Sequence, residues 1–400
     1  MNVTMFDPGN FTPHYVENLC NELAKLDLKV NVITSQGLFE QSWRGVPYGV
    51  HHYFFKTTEG GAKQFFRRHA LLRRAIKVLS YPAGLRRTWK ALQDQAPGVF
   101  HVQWALLPPL DAVLLRKLRS RSWRVIYTAH DVDFELGGLL RRWWYRHIYR
   151  DAHAVIVHTE TLQRKLSQTA GDILREVRTV PEGISMLPLS PDANPSSARR
   201  FLGLDPTAPL FLFFGFIKPY KGLEYLIRAW PRVVAQYPDA RLLIAGEALS
   251  SIDPFERLVR SLGVAGSVEL RPGYVPRSEV QHYFCAADAV VLPYTHTSTS
   301  GVIPVAYRYG RPVIATSVGA LSEFVKEGET GYLVPPRSEA ALADAMCRAI
   351  RERERLAEMG DRAREWFETE RSWERAARST AELYRALAAD TAAIPQRITA

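Results

Sequence analysis

Lys218 and Lys221 are the residues of this chain best suited to grip a phosphorylated ligand. They stand in Phe214-Gly-Phe-Ile-Lys-Pro-Tyr-Lys-Gly-Leu223, after a fully apolar run and before a helical stretch from Leu223 to Gln236. Gly215 lets backbone approach a ligand, and Gly222 frees the chain at the helix entry. Two point charges plus amides at a helix start suit a diphosphate; the plainer reading is an ordinary basic strand-to-helix loop. A second loop, Thr295-His-Thr-Ser-Thr-Ser-Gly-Val-Ile-Pro304, follows the strand ending in Leu292-Pro-Tyr294. Pro304 belongs in a first helical turn, so Ser298, Thr299, Ser300 and Gly301 are predicted at a helix N-terminus, where they either bind an anion or simply cap the helix. Glu323, in the loop after Pro312-Val-Ile-Ala315, is either a ligand contact or a buried acceptor that ties the loop down.

Such loops need strands to hold them. Asn2–Phe6, Lys29–Thr34, Val99–Val102, Val125–Thr128 and Ala154–Val157 read as buried strands of the first half. Leu210–Phe214, Arg241–Ala245, Ser267–Leu270, Ala289–Leu292 and Pro312–Ala315 do the same in the second. Most are continuous in apolar residues rather than alternating, the mark of parallel strands covered on both faces. Two serial blocks imply an α/β protein of two doubly wound, Rossmann-like domains facing across a cleft. The expected divisions are a domain over 1–187, a Pro/Ser-rich linker over 188–199, a second domain over 200–365, and a closing helix over 366–387 that packs back on the first. Residues from about Ala388 read as a frayed tail.

The 400 residues suffice for two ordinary domains. Cys20, Cys285 and Cys347 are far apart and form no ligand spacing, which argues against disulfides and structural zinc and fits a reducing compartment. No apolar run approaches a membrane span, and no cleavable signal precedes the first strand, so a cytoplasmic location is expected. The net charge of +11 lies wholly in residues 1–200, where basic residues alternate with aromatics. Phe65-Phe66-Arg67-Arg68, Arg86-Arg87-Thr88-Trp89-Lys90 and Arg141-Arg142-Trp143-Trp144-Tyr145-Arg146 are the clearest stretches. They suit an anionic membrane surface better than nucleic acid, and the plain alternative is a solvated basic face.

The second half resembles family 4 and its relatives among the GT-B glycosyltransferases. The resemblance rests on the Lys218/Lys221 loop, Ala245-Gly-Glu247, Gly273-Tyr-Val-Pro276, Ala287-Asp-Ala-Val-Val-Leu-Pro293, and Gly310-Arg-Pro-Val-Ile-Ala-Thr316 through Gly331-Tyr-Leu-Val334, in order. It covers roughly 200–370 well; the first half matches loosely at Pro8-Gly9, His130-Asp131 and Val180-Pro-Glu-Gly183. It implies a GT-B fold and a nucleotide-sugar donor held by Gly215, Lys218, Lys221, Glu247, Tyr274, Val275, Ser298, Thr299, Ser300, Gly301 and Val302. Two departures stand out. Phe216 replaces the family's usual Arg, which hands its phosphate role to Lys218, and Thr297 and Val305 occupy the places of a usual glutamate pair. The Ser300-Gly-Val-Ile-Pro304 version is similar to a subgroup that includes bacterial exopolysaccharide mannosyltransferases acting on lipid-linked sugars. That implies GDP-mannose as a candidate donor and a lipid-linked or oligosaccharide acceptor, with the stereochemical outcome open.

In the first half, Thr128-Ala-His-Asp131 follows a strand. His130 and Asp131 are the catalytic candidates: His130 either takes the acceptor hydroxyl's proton or hydrogen-bonds a sugar hydroxyl. In GT-B enzymes the loop after the first strand faces the acceptor, which implicates Gly9, Asn10 and His14. Asp131-Val-Asp133 is a weak match to a metal-binding pair in the wrong fold type, so no metal and no cofactor beyond the donor are expected. The sequence reading is therefore a metal-independent hexosyltransferase of polysaccharide or glycolipid assembly, peripheral on the cytoplasmic face of a membrane. Its rivals are a nucleotide-sugar epimerase of the same architecture and a non-catalytic basic binding module.

Overall fold

The computed structural model describes residues 1–37, 43, 45–59, 69–132, 135, 138–183, 189–190, 193–248 and 251–392. The chain divides into two compact units, Met1–Glu182 with Trp373–Ala400, and Gly183–Ser372. Each is built on one wholly parallel sheet. In the first, β1 (Asn2–Asp7), β2 (Lys29–Thr34), β3 (Gly49–His52), β4 (Val99–Val102), β5 (Arg124–Thr128), β6 (Ala154–Val157) and β7 (Val177–Thr179) take the order β3-β2-β1-β4-β5-β6-β7. In the second, β8 (Leu210–Phe214), β9 (Arg241–Gly246), β10 (Val268–Pro272), β11 (Ala289–Leu292), β12 (Val313–Thr316) and β13 (Gly331–Val334) take the order β10-β9-β8-β11-β12-β13.

Both faces of each sheet are covered. Along β8, Leu210 and Leu212 join one buried cluster and Phe211 and Phe213 the other, because successive strand side chains point to opposite faces. In each sheet the strand order reverses beside the first strand: β1 has β2 on one side and β4 on the other, and β8 has β9 and β11. The connections leave in opposite directions there, which opens a crevice at the carboxyl ends of the strands where open α/β sheets bind ligands. The loops at those two points are residues 8–12 and 103–107 in the first unit, and 215–222 and 293–301 in the second.

Two divisions read from the sequence are corrected. The expected linker over 188–199 runs into a helix, Pro195–Leu202, capped by Asn194, whose side chain accepts the Ser197 amide at 2.9 Å. Asn-Pro-Ser-Ser is a helix start as much as a linker. Buried Arg199 fixes this helix in the second unit through the carbonyls of Ala286 and Ala208, both at 2.9 Å, and Asp288 at 3.0 Å. The closing helix is Trp373–Ala392, not 366–387. Trp366 and Phe367 sit on the preceding helix, Arg353–Glu370, and pack in the second unit. Only Arg371 and Ser372 separate the two helices, with no glycine or proline to mark the break. The closing helix does pack on the first unit, with Tyr384, Leu383 and Ala377 against Val3, Leu19 and Leu23. The tail residues 393–400 lie outside the described residues.

Candidate functional site

At the carboxyl edge of the second sheet, three glycines stand side by side. Gly215 follows β8, Gly246 ends β9 and Gly273 follows β10, with φ of 105°, 141° and 146°. Gly215 donates to the Ala245 carbonyl and Gly273 to the Gly246 carbonyl, both at 3.0 Å. A Cβ on Gly246 would lie 2.1 Å from the Gly215 oxygen, so this close approach admits only glycine. The Glu247 carbonyl takes the Ile217 amide at 2.9 Å, which pins the lysine loop, while the Glu247 side chain is exposed. Val275 packs into the core and Tyr274 is exposed.

The loop then makes a single 3-10 turn, Pro219–Lys221, ending in Gly222 at φ 65°. A Cβ there would meet the Pro293 carbonyl at 1.9 Å, so Gly222 lets the loops after β8 and β11 touch. This contact buries Lys221. Its Nζ donates to the Tyr294 hydroxyl at 2.5 Å, and Tyr294 Oη lies 3.2 Å from Ser300 Oγ. Ser300 Oγ also accepts the Val302 amide at 3.3 Å. The proton positions follow from elimination. Tyr294 is fully buried and accepts from Lys221, so its own proton goes to Ser300; the alternative would orphan a buried phenol proton. Ser300 accepts twice, which leaves its hydroxyl proton available for a ligand.

Burial, reinforced by the Lys218 charge, lowers the Lys221 pKa from 10.5 to about 8. Lys218 is half-buried and lies over the Phe216 and Tyr220 rings at 5.5 and 5.9 Å. Among the described residues, no carboxylate forms an ion pair with either lysine. A position for a Gly215 Cβ would be 3.9 Å from Lys221 Nζ and 3.7 Å from the Val302 methyl, so Gly215, Lys221 and Val302 converge. The helix after Gly301 is Val302–Arg308, two turns at most, and its first amide is already held by Ser300. The positive field here comes from the lysines more than from a helix dipole. Ser298, Thr299 and Thr297 serve the loop: the Ser298 carbonyl takes the Ala320 amide at 3.1 Å, and the Thr299 carbonyl takes the Thr297 hydroxyl at 2.6 Å. Glu323 is half-buried on the short helix Leu321–Phe324.

The first unit gathers polar groups at the matching edge of its sheet. His130 follows β5, Gln103 follows β4 and His158 follows β6. His130 Nε2 lies 2.9 Å from Gln103 Oε1, and its Nδ1 lies 3.2 Å from His158 Nε2. His158 Nδ1 lies 3.0 Å from the Val180 carbonyl, which can only accept, so His158 donates there. Burial first, then the neighbouring His158 and His101, push the His130 pKa well below 6.5. The ring is held from both sides: Trp104 stacks on it at 5.1 Å and Tyr15 meets it edge-on at 4.9 Å. Tyr15, on helix Pro13–Ala24, is the neighbour of exposed His14.

Asp7, at the end of β1, accepts the Phe11 and Thr12 amides at 3.3 and 3.4 Å and so shapes the loop that carries Gly9 and Asn10. Burial raises the Asp7 pKa to about 6 against the pull of those amides. Asn10 has φ 50°, and among the described residues its buried Oδ1 has no hydrogen-bond partner. Asp131 turns to a cavity it shares with Arg141 and Trp144. Asp133 and Phe65–Arg68 lie outside the described residues. Sequence reasoning missed Tyr294, Gln103, His158 and Trp104. Gln103 and His158 carry the signal that revealed His130, a polar residue just past a buried strand.

Two parallel-sheet α/β units with these loops define the GT-B architecture. The family model "Glycosyl transferases group 1" matches residues 208–352, and "Glycosyl transferase 4-like domain" matches residues 12–183. Each unit is thus similar over most of its length to a glycosyltransferase domain. It is similar to a D-inositol 3-phosphate glycosyltransferase of Nocardia farcinica, 30% identical over 62% of this chain and 58% of that protein. The chain thus spans a little over half the length of the first such relatives it matches. A protein of that name from Corynebacterium urealyticum is 27% identical over 93% of this chain and 90% of its own length. Among solved structures, sucrose-phosphate synthase of Thermosynechococcus elongatus superposes with TM-score 0.74 at 22% identity, covering 98% of this chain and all of that one. Anabaena HepE, in complex with UDP and glucose, gives TM-score 0.73 at 19% identity, covering 96% of this chain and all of that one. At such identities the likeness is one of fold.

Proposed function

We propose that the protein transfers a hexose from a nucleotide diphosphate sugar to a hydroxyl of a lipid-linked glycan. The observation that carries the reading is the Lys218/Lys221 pair at the strand-order reversal of the second sheet, with no carboxylate to neutralise it among the described residues. A diphosphate supplies the missing charge. The Ser300 proton donates to the same group, and together these donors stabilise the leaving diphosphate electrostatically without a metal. The Ser300-Gly-Val-Ile-Pro304 sequence favours mannose carried by GDP. On the first unit, Gly9, Asn10 and His130 contact the acceptor; the unpartnered Asn10 Oδ1 supports this. The names of the relatives favour a second reading of the acceptor, an inositol phosphate. A thermal-shift screen tests the donor claim, since a ligand of the folded state raises Tm. GDP, UDP or another nucleoside diphosphate, and its sugar, should raise Tm where the bare nucleoside does not; no shift with any of them would remove the claim.

The same reading places the protein on an anionic, cytoplasmic membrane surface. Among the described residues, no helix is long and apolar enough to cross a membrane. Helices Ala70–Leu92 and Leu139–Asp151 nevertheless expose Leu71, Leu79, Leu139 and Trp143 between arginines and lysines, a pattern suited to headgroups below and acyl chains beyond. Trp89 is not among these anchors, because Arg121 and Lys117 cover it at 4.6 and 5.5 Å. The protein should co-float with phosphatidylglycerol-rich liposomes at low salt and separate from them at high salt; absence of binding at low salt would refute the placement.

A further inference from the structure

Beside the His130 cluster, wholly within the first unit, lies a cavity of about 560 Å³. That is within the roughly 300–1,000 Å³ of small-molecule sites. Its walls are Phe11, Trp104, Leu106, Pro108, Trp144 and Tyr145, with Asp131 and Arg141 at the polar side. The polar atoms of two of these rings are already engaged within the protein. Trp104 Nε1 donates to Thr12 Oγ1 at 3.1 Å, and the Tyr145 hydroxyl donates to the Ala105 carbonyl at 3.1 Å. What they present to the cavity is ring face. A polyol would find partners only at the Asp131 and Arg141 side and would leave hydroxyls unpaired against the ring faces, where an apolar group loses nothing. The cavity also adjoins the proposed acceptor groups: Trp104 meets His130 ring to ring and Phe11 edge to face, at 5.1 and 5.7 Å.

We infer that this cavity binds an apolar segment of the acceptor, an isoprenoid chain or an aromatic ring attached next to the sugar that is extended. The inference rests on the glycosyltransferase reading and narrows it: the acceptor is amphipathic, not a free cyclitol phosphate. Titration calorimetry on the full chain tests it with farnesyl monophosphate, phenyl mannoside and inositol 1-phosphate. One of the first two should bind at least about tenfold more tightly than inositol 1-phosphate, with a negative heat-capacity change. Which of them binds separates the chain from the ring. Trp144→Ala should weaken that binding about tenfold, and so should Phe11→Ser, whose side chain is 58% exposed and can be lost without opening the core. Preference for inositol 1-phosphate, or apolar binding unchanged in both variants, would overturn the assignment. Nucleoside diphosphate binding measured on the same protein keeps the two readings apart: its loss alone removes the transferase reading, and loss of apolar binding alone removes the cavity's role.

Discussion

Lys221→Ala should lower sugar transfer by on the order of 10²–10³, the usual cost of removing one preorganised donor to a developing charge. The measurement is radiolabelled transfer or nucleoside diphosphate release. The loss should come without loss of fold. The ammonium is buried with no anion among the described residues, so the ligand-free protein is under strain from its charge. Its pKa is lowered from 10.5 to about 8, so the unfolded chain binds the proton more tightly. The cost is full below pH 8 and is relieved as pH rises from 8 towards 10.5, where wild-type stability should climb. The variant should lack that climb and melt no lower than wild type near pH 7. Diphosphate binding favours the charged lysine, so wild-type affinity should fall as pH rises past about 8. Near-normal turnover in Lys221→Ala would end the diphosphate assignment.

His130→Ala should lower kcat by about 10²-fold or more if the imidazole handles the acceptor proton, with the KM for the donor little changed. A role limited to holding a hydroxyl would instead raise KM and spare kcat. The pH profile gives an independent reading. The ring resists protonation because burial and two neighbouring histidines disfavour its charged form. Its contribution to the acid limb should therefore lie well below pH 6.5, and activity should persist through pH 6. An acid limb centred at 6.5 that vanishes in the variant would show a solvated histidine and contradict the site's geometry.

Much of the fold was legible because parallel strands covered on both faces read as unbroken apolar runs. Where cover is thin the signal fails: β3 is half exposed and β7 is three half-buried residues, and neither was read as a strand. The lysines and Ser300 were legible because charge and glycine are conspicuous beside a buried strand. Tyr294 was not. Its role exists because β8 and β11 are neighbours in the sheet, although β9 and β10 lie between them in the chain. Gln103, His130 and His158 are likewise united only by the side-by-side order of β4, β5 and β6. Sequence shows which strand end a residue decorates, and only the strand order shows which decorations meet.

The closing helix has a consequence for the order in which the molecule can be made. The first unit comprises Met1–Glu182 and Trp373–Ala400, so a ribosome must synthesise everything through Ser372 before the last part of the first core exists. Until then Val3, Val16 and Leu19 lack their cover, and His101 lacks the Tyr384 hydroxyl that sits 2.6 Å from its Nδ1. The second unit, encoded without interruption, can close while the first still waits with an open apolar face. Residues of the first strand and first helix are thus made long before they are finished, and that unfinished face is where a nascent chain of this design is exposed to aggregation and to chaperones.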